Sequence, residues 1–213
     1  MPTRCGRSGA VARTTARRRF AAGSVALAAV LASLAFTTGT AHAADGGSPP
    51  FCLDANAGDV RDLGGIIQWS CSSTDAFQQW IVTKVPVPAG GRSLPANTVL
   101  VQLQNVGAKT CLDAVASEVE DFGTIAQWTC NFNHNDIKDS DPYQLWIVND
   151  SSFENYGAYN LNEEDGLDAN ARDIGDFGQI MQYSLNTADP FQAWKAFSRN
   201  GQVLVLENIG ASS

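Results

Sequence analysis

Three segments of the chain align with one another without a gap, and this repetition constrains the available folds more than any other feature of the sequence. The first runs from Cys52-Leu53-Asp54-Ala55 to Gln68-Trp69-Ser70-Cys71, and the second from Cys111-Leu112-Asp113-Ala114 to Gln127-Trp128-Thr129-Cys130. The third runs from Gly166-Leu167-Asp168-Ala169 to Gln182-Tyr183-Ser184-Leu185. Asp62/121/176, Gly64/123/178, Ile66/125/180 and Gln68/127/182 recur in the same register. A Gln-x-Trp follows each segment: Gln78-Gln79-Trp80, Gln144-Leu145-Trp146 and Gln192-Ala193-Trp194. The step to that Trp is 9 residues in copies one and three but 16 in copy two, so copy two carries a seven-residue insertion within 131–141, which contains His134.

Short β-rich runs alternate with Gly, Asn and Asp turns, and no amphipathic helix stands out. Three repeats of short strands predict a closed all-β architecture. The repeat edges add a detail. Copy two is preceded by a strand-like Leu103-Gln104-Asn105, whereas Ser48-Pro49-Pro50-Phe51 leads straight into copy one. Leu206-Glu207-Asn208 resembles the missing segment, so a C-terminal strand is expected to complete repeat one and close the ring.

Cysteine spacing supports the repeat. Cys52 and Cys71 are 19 apart, as are Cys111 and Cys130, and both cysteines are replaced together in copy three. Local bridges Cys52–Cys71 and Cys111–Cys130 are therefore expected, each closing a loop of about 20 residues worth about 3 kcal/mol on the chain-entropy model. A zinc site would need a tighter cluster than these spacings and one histidine, His134, can supply. Asp54-x-Asn56-x-Gly58-Asp59 and Asp168-x-Asn170-x-x-Asp173 alternate oxygen ligands, but lack the complete calcium loop and its terminal Glu. No metal and no cofactor is called for.

Residues 1–43 read as an export signal: a basic stretch ending Arg17-Arg18-Arg19-Phe20, an apolar run, and the small-x-small site Ala41-His42-Ala43. The arginines resemble a twin-arginine signal, although Ala16 and Ala21 depart from its flanks, so the export route stays open. Residues 44–50 form a short linker and 51–213 the repeat domain. Without the signal, 8 Lys and Arg face 22 Asp and Glu, a net charge of −14. That surface repels phosphate backbones and anionic lipid heads, which excludes nucleic acid and membrane surfaces as expected partners. A secreted monomer is expected.

These residues resemble the ricin B-type lectin domain, the Gln-x-Trp family found in secreted carbohydrate-binding modules, over residues 51–213. The resemblance implies a β-trefoil: six strands in a short barrel, capped by six more in three hairpins. It also implies one shallow glycan pocket per repeat, in which an Asp accepts hydrogen bonds from sugar hydroxyls and a ring stacks on the pyranose face. The matching pairs are Asp54 with Trp69, Asp113 with Trp128, and Asp168 with Tyr183.

Two further positions depart from the family. Where sugar-binding repeats often place a Gln, this chain has Ile67, Ala126 and Met181, with the Gln shifted by one to Gln68, Gln127 and Gln182. Strand alternation should turn that Gln away from the ring. Where an Asn often binds sugar, the chain has Phe77, Tyr143 and Phe191. The Asp triplet can equally be read as turn-capping carboxylates. Trp80, Trp146 and Trp194 read as core, and each neighbouring Gln as a partner for backbone groups at the turn. No catalytic constellation is visible, because catalysis needs one asymmetric site rather than a threefold pattern. A glycan-binding module is the expected function, and a trefoil turned to protein recognition or a structural role is the alternative.

Overall fold

Each copy of the repeated segment becomes an antiparallel hairpin, because its apolar residues fall on alternate positions and its centre carries the turn-forming Asp, Gly and Asn. The computed structural model describes residues 49–131, 141–199 and 201–212. The expected signal 1–43, most of the linker and His134 lie outside the described residues. The hairpins pair β1 (Phe51–Ala55) with β2 (Gly64–Ser70), β5 (Cys111–Ala114) with β6 (Gly123–Trp128), and β9 (Asp165–Ala169) with β10 (Gly178–Ser184). Their inner strands β2, β6 and β10 pair with one another in a triangle.

The other six strands are β3 (Trp80–Lys84), β4 (Val99–Asn105), β7 (Leu145–Asn149), β8 (Ser152–Asn155), β11 (Trp194–Ser198) and β12 (Val203–Asn208). They run as a ring: β12 pairs with β3, β3 with β4, β4 with β7, β7 with β8, and β11 with β12. The ring is completed where Trp194 N donates to Ser151 O at 2.8 Å, just before β8. Among the described residues, twelve strands, six in a ring and six in three capping hairpins, make an all-β, trefoil-like fold. Strand β12 also reaches β1, with Cys52 opposite Glu207.

The core is built from triplets. Leu53, Leu112 and Leu167 are fully buried, together with Ala55, Ala114 and Ala169, around Trp80, Trp146 and Trp194. Each indole also satisfies a buried carbonyl: Nε1 donates to Leu53 O at 3.1 Å, Leu112 O at 3.1 Å and Leu167 O at 2.9 Å. The preceding Gln closes the turn. Gln78 donates to Ser70 O and accepts from Ser72 N; Gln144 does the same with Thr129 O and Asn131 N, and Gln192 with Ser184 O and Asn186 N. Each bond removes a backbone group that burial would otherwise penalise.

Both expected disulfides are present, Cys52–Cys71 and Cys111–Cys130, each with a Cα–Cα distance of 5.0 Å. Two bridges fit an extracellular protein. Among the described residues no helix is long and apolar enough to cross a membrane.

One departure from threefold symmetry was not legible in the sequence. The link from β8 to β9 is longer than its counterpart from β4 to β5 and holds a five-residue helix, α1 (Tyr156–Asn160), capped by Asn155. Tyr156 and Tyr159 cover Leu100, Leu145 and Ile147 in a second apolar cluster. Arg92 lies over the Tyr159 ring at 3.9 Å and donates to Tyr159 O.

Candidate functional site

In each hairpin the candidate Asp and the candidate ring share one face. Cys52 pairs with Trp69 and Asp54 with Ile67, so Asp54 and Trp69 lie one pleat apart on the same side. The same register places Asp113 opposite Ala126 with Trp128 beyond, and Asp168 opposite Met181 with Tyr183 beyond. All three expected pairs are therefore brought together. The rings are half-buried, while the three Asp residues are 5 %, 4 % and 4 % exposed.

Burial dominates the electrostatics of these carboxyls. It pushes Asp54 up to about 6, Asp113 up to about 7 and Asp168 up to about 6, while hydrogen bonding to the Gln78, Gln144 and Gln192 side chains pulls the other way. The charge of Asp141 adds to the rise at Asp113. The turn-capping work belongs to other residues. Asp59 accepts from Gly65 N, Glu118 from Thr124 N and Asp173 from Gln179 N. Asn56 and Asn170 accept from Gly58 N and Arg172 N. The same bonds engage Asn56, Asp59, Asn170 and Asp173, four of the side chains that a calcium reading would use beside Asp54 and Asp168. Among the described residues no group of three His, Cys, Asp or Glu side chains is placed to hold a metal.

The two departures from the lectin pattern acquire physical roles. Gln68, Gln127 and Gln182 are buried and point away from the ring, into the neighbouring repeat. Gln68 donates to Asp173 O and Gln179 O, Gln127 to Asn56 O, Asp59 O and Gly65 O, and Gln182 to Glu118 O and Thr124 O. Phe77 and Phe191 lie against Gly107 and Gly210, in the turns after β4 and β12, and Tyr143 lies against Gly157 of α1. A Cβ at Gly107, Gly157 or Gly210 would stand 2.9, 2.4 or 2.8 Å from the respective ring. Rings at this position pack against backbone, and two of the three, Phe77 and Phe191, carry no polar group.

The hairpin loops contribute residues that sequence reasoning assigned no role. Asp176 Oδ1 accepts from both Ser70 N and Ser70 Oγ at 2.7 Å. Asp62 holds Thr129 in the same way, at 2.6 and 2.8 Å, and Asp121 holds Ser184 at 2.7 Å. Each loop thus clasps the residue next to the ring of another repeat. The residue after each Asp is Leu63, Phe122 or Phe177, with φ of 62°, 67° and 68°. The following glycine is required. A Cβ at Gly64, Gly123 or Gly178 would meet the backbone oxygen of Asp59, Glu118 or Asp173 at 2.0 to 2.2 Å. The turn so formed sets Phe177 edge-on to Trp69, centroids 4.4 Å apart, and Phe122 edge-on to Tyr183 at 5.2 Å. The recurrence of Asp62/121/176 was the available signal, but its partners lie 63 to 106 residues away.

No protein-family profile matches the chain, and no curated protein matches it. Among solved structures, the crystal structure of ThreeFoil, a designed 3-fold symmetric protein, is similar at 18% identity and a TM-score of 0.46, covering 74% of this chain and 90% of that one.

Proposed function

We propose that the protein is a secreted carbohydrate-binding module of the ricin B lectin type, with one shallow site per repeat and no catalytic activity. The observation that carries this reading is the threefold recurrence of a buried carboxyl beside a half-buried ring on one hairpin face. A carboxylate fixes the direction of sugar hydroxyls, and a ring face suits the C–H face of a pyranose. One ring contact of about 1 kcal/mol and one charge-assisted bond of about 1.5–3 kcal/mol give millimolar binding per site, raised by avidity on a polymer.

The test is retention of the disulfide-bonded protein on insoluble polysaccharides, with Asp54→Asn and Asp168→Asn as paired variants. Retention that weakens in both variants, each still showing a cooperative melt, supports the reading. Equal retention of both variants and parent places the site elsewhere. One observation favours the second reading, protein recognition: Phe77, Tyr143 and Phe191 fill a position where a sugar-reading Asn is common in the family. A parent retained by no polysaccharide would move the argument to that reading.

A further inference from the structure

Exposed apolar side chains are concentrated in the hairpin loops. Of the eight large apolar residues exposed among the described residues, five are Val60, Leu63, Phe122, Ile174 and Phe177, which occupy two positions of the repeat. Leu63, Phe122 and Phe177 are 54 %, 57 % and 64 % exposed and hold a left-handed backbone. That conformation costs a bulky L-residue about 1–2 kcal/mol, and Gly or Asn would adopt it more cheaply. The fold gains little core from side chains that stay more than half in water. Strain and exposure at the same three positions are what a ligand-facing residue would show.

Their placement supplies the second half of the argument. Phe177, from repeat three, stands at right angles to Trp69 of repeat one, and Phe122 of repeat two at right angles to Tyr183 of repeat three. In both pairs the candidate ring is half-buried and the loop ring is exposed. By register the corresponding pair in the second hairpin is Leu63 and Trp128, where an aliphatic side chain replaces the loop ring. Asp176 on Ser70, Asp121 on Ser184 and Asp62 on Thr129 anchor each loop one residue from its ring.

We infer that each glycan site is shared between two repeats, with Phe177 and Phe122 adding a second aromatic surface beside Trp69 in the first site and Tyr183 in the third, and Leu63 leaving the second with Trp128 alone. The inference rests on the carbohydrate-binding reading and identifies residues that the lectin resemblance does not assign. The ligand is a polysaccharide that is uncharged or carries amino groups, because the net charge of −14 outside the signal disfavours polyuronates and sulfated chains. The inference also makes the second site the weakest of the three, because Leu63 stands where the other two sites have Phe177 and Phe122.

The experiment compares retention on cellulose, chitin, xylan and mannan for the parent, Phe177→Leu, Phe122→Leu and Leu63→Phe, with thermal melts recorded for all four proteins. Leucine already occupies this backbone conformation at position 63, so the first two substitutions are compatible with the fold. The two Phe variants should each lose about fivefold in affinity at their own site, the equivalent of about 1 kcal/mol, on the polymer that retains the parent. Leu63→Phe should bind more tightly than the parent. If Asp54→Asn weakens retention while all three loop variants bind like the parent, the shared-site inference fails and the lectin reading survives. If none of the four polymers retains the parent, both fail. A loop variant whose melt shifts while its affinity holds shows that the loop ring merely shields its neighbour, and this also overturns the inference.

Discussion

Leu185 leans over Gly166, its Cδ1 3.0 Å from where a Cβ on that glycine would stand. These two residues occupy the half-cystine positions of repeat three, and Gly166 pairs with Tyr183 as Cys52 pairs with Trp69. Repeat three thus replaces a covalent bridge with an apolar contact at an unchanged strand register.

That register predicts that Gly166→Cys combined with Leu185→Cys forms a third disulfide. It should stabilise the fold by about 2–3 kcal/mol, which is about 4–12 °C in Tm for a chain of this size. Peptide mapping without reductant checks the link. Two free thiols in the folded protein would show that the hairpins are not equivalent.

Removing residues 204–213 should abolish cooperative unfolding, although terminal segments are commonly dispensable. Strand β12 pairs with β3 and β11 and reaches β1, and Leu204 and Leu206 are buried. A calorimetric scan decides the matter: a truncated chain with one sharp endotherm near the parent Tm would contradict the pairing.

Trp194→Ala and Trp69→Ala should behave in opposite ways. Trp194 is 2 % exposed and donates to Leu167 O, so its loss should cost about 3–5 kcal/mol. Trp69 is half-buried on the hairpin face, and its removal should cost less than half as much while weakening glycan retention. Chemical denaturation of both variants provides the comparison.

Stability and glycan affinity should respond to pH with opposite signs. Burial raises Asp54 and Asp168 to about 6 and Asp113 to about 7, so the folded chain holds these protons more tightly than the unfolded chain, whose value is 3.8. Stability should therefore fall as pH rises from about 4 to about 7 and level off above, by roughly 1 kcal/mol per carboxyl after allowance for solvent screening. On the proposed carbohydrate-binding reading the acceptor is the ionised carboxylate, so affinity should climb over the same interval. Melts and retention measured from pH 4 to 8 test both slopes, and Asp113→Asn should flatten the stability slope most.

The features legible in the sequence are those that a repeat writes locally. Equal Cys spacing marked the two bridges, the Gln-x-Trp triplet marked the core, and strand alternation turned Gln68 away from Trp69. The pairing of Asp54 with Trp69 came from the lectin resemblance, and the register of the first hairpin puts the two on one face. What stayed hidden connects different copies. Nothing near Asp176 in sequence names Ser70 as its partner, and nothing near Phe177 names Trp69. Phe77 was read as a departure at a sugar position, and only its contact with Gly107 reveals that it packs a turn. Helix α1 was missed because its five residues are too few to show a helical period.

The position of β12 in the ring has a consequence for how the molecule is made. Synthesis delivers β1, β2 and β3 early, and β1 can pair with β2 within its own hairpin at once. The barrel wall beside β3 must nevertheless wait until residues 203–208 have emerged, well over a hundred residues later. During that interval Trp80 lacks the neighbour that Leu204 provides, so an apolar edge stays open in the nascent chain. Local strand pairing keeps the first hairpin in register while it waits, Cys52 opposite Trp69, and the acidic composition discourages two unfinished chains from pairing along that edge.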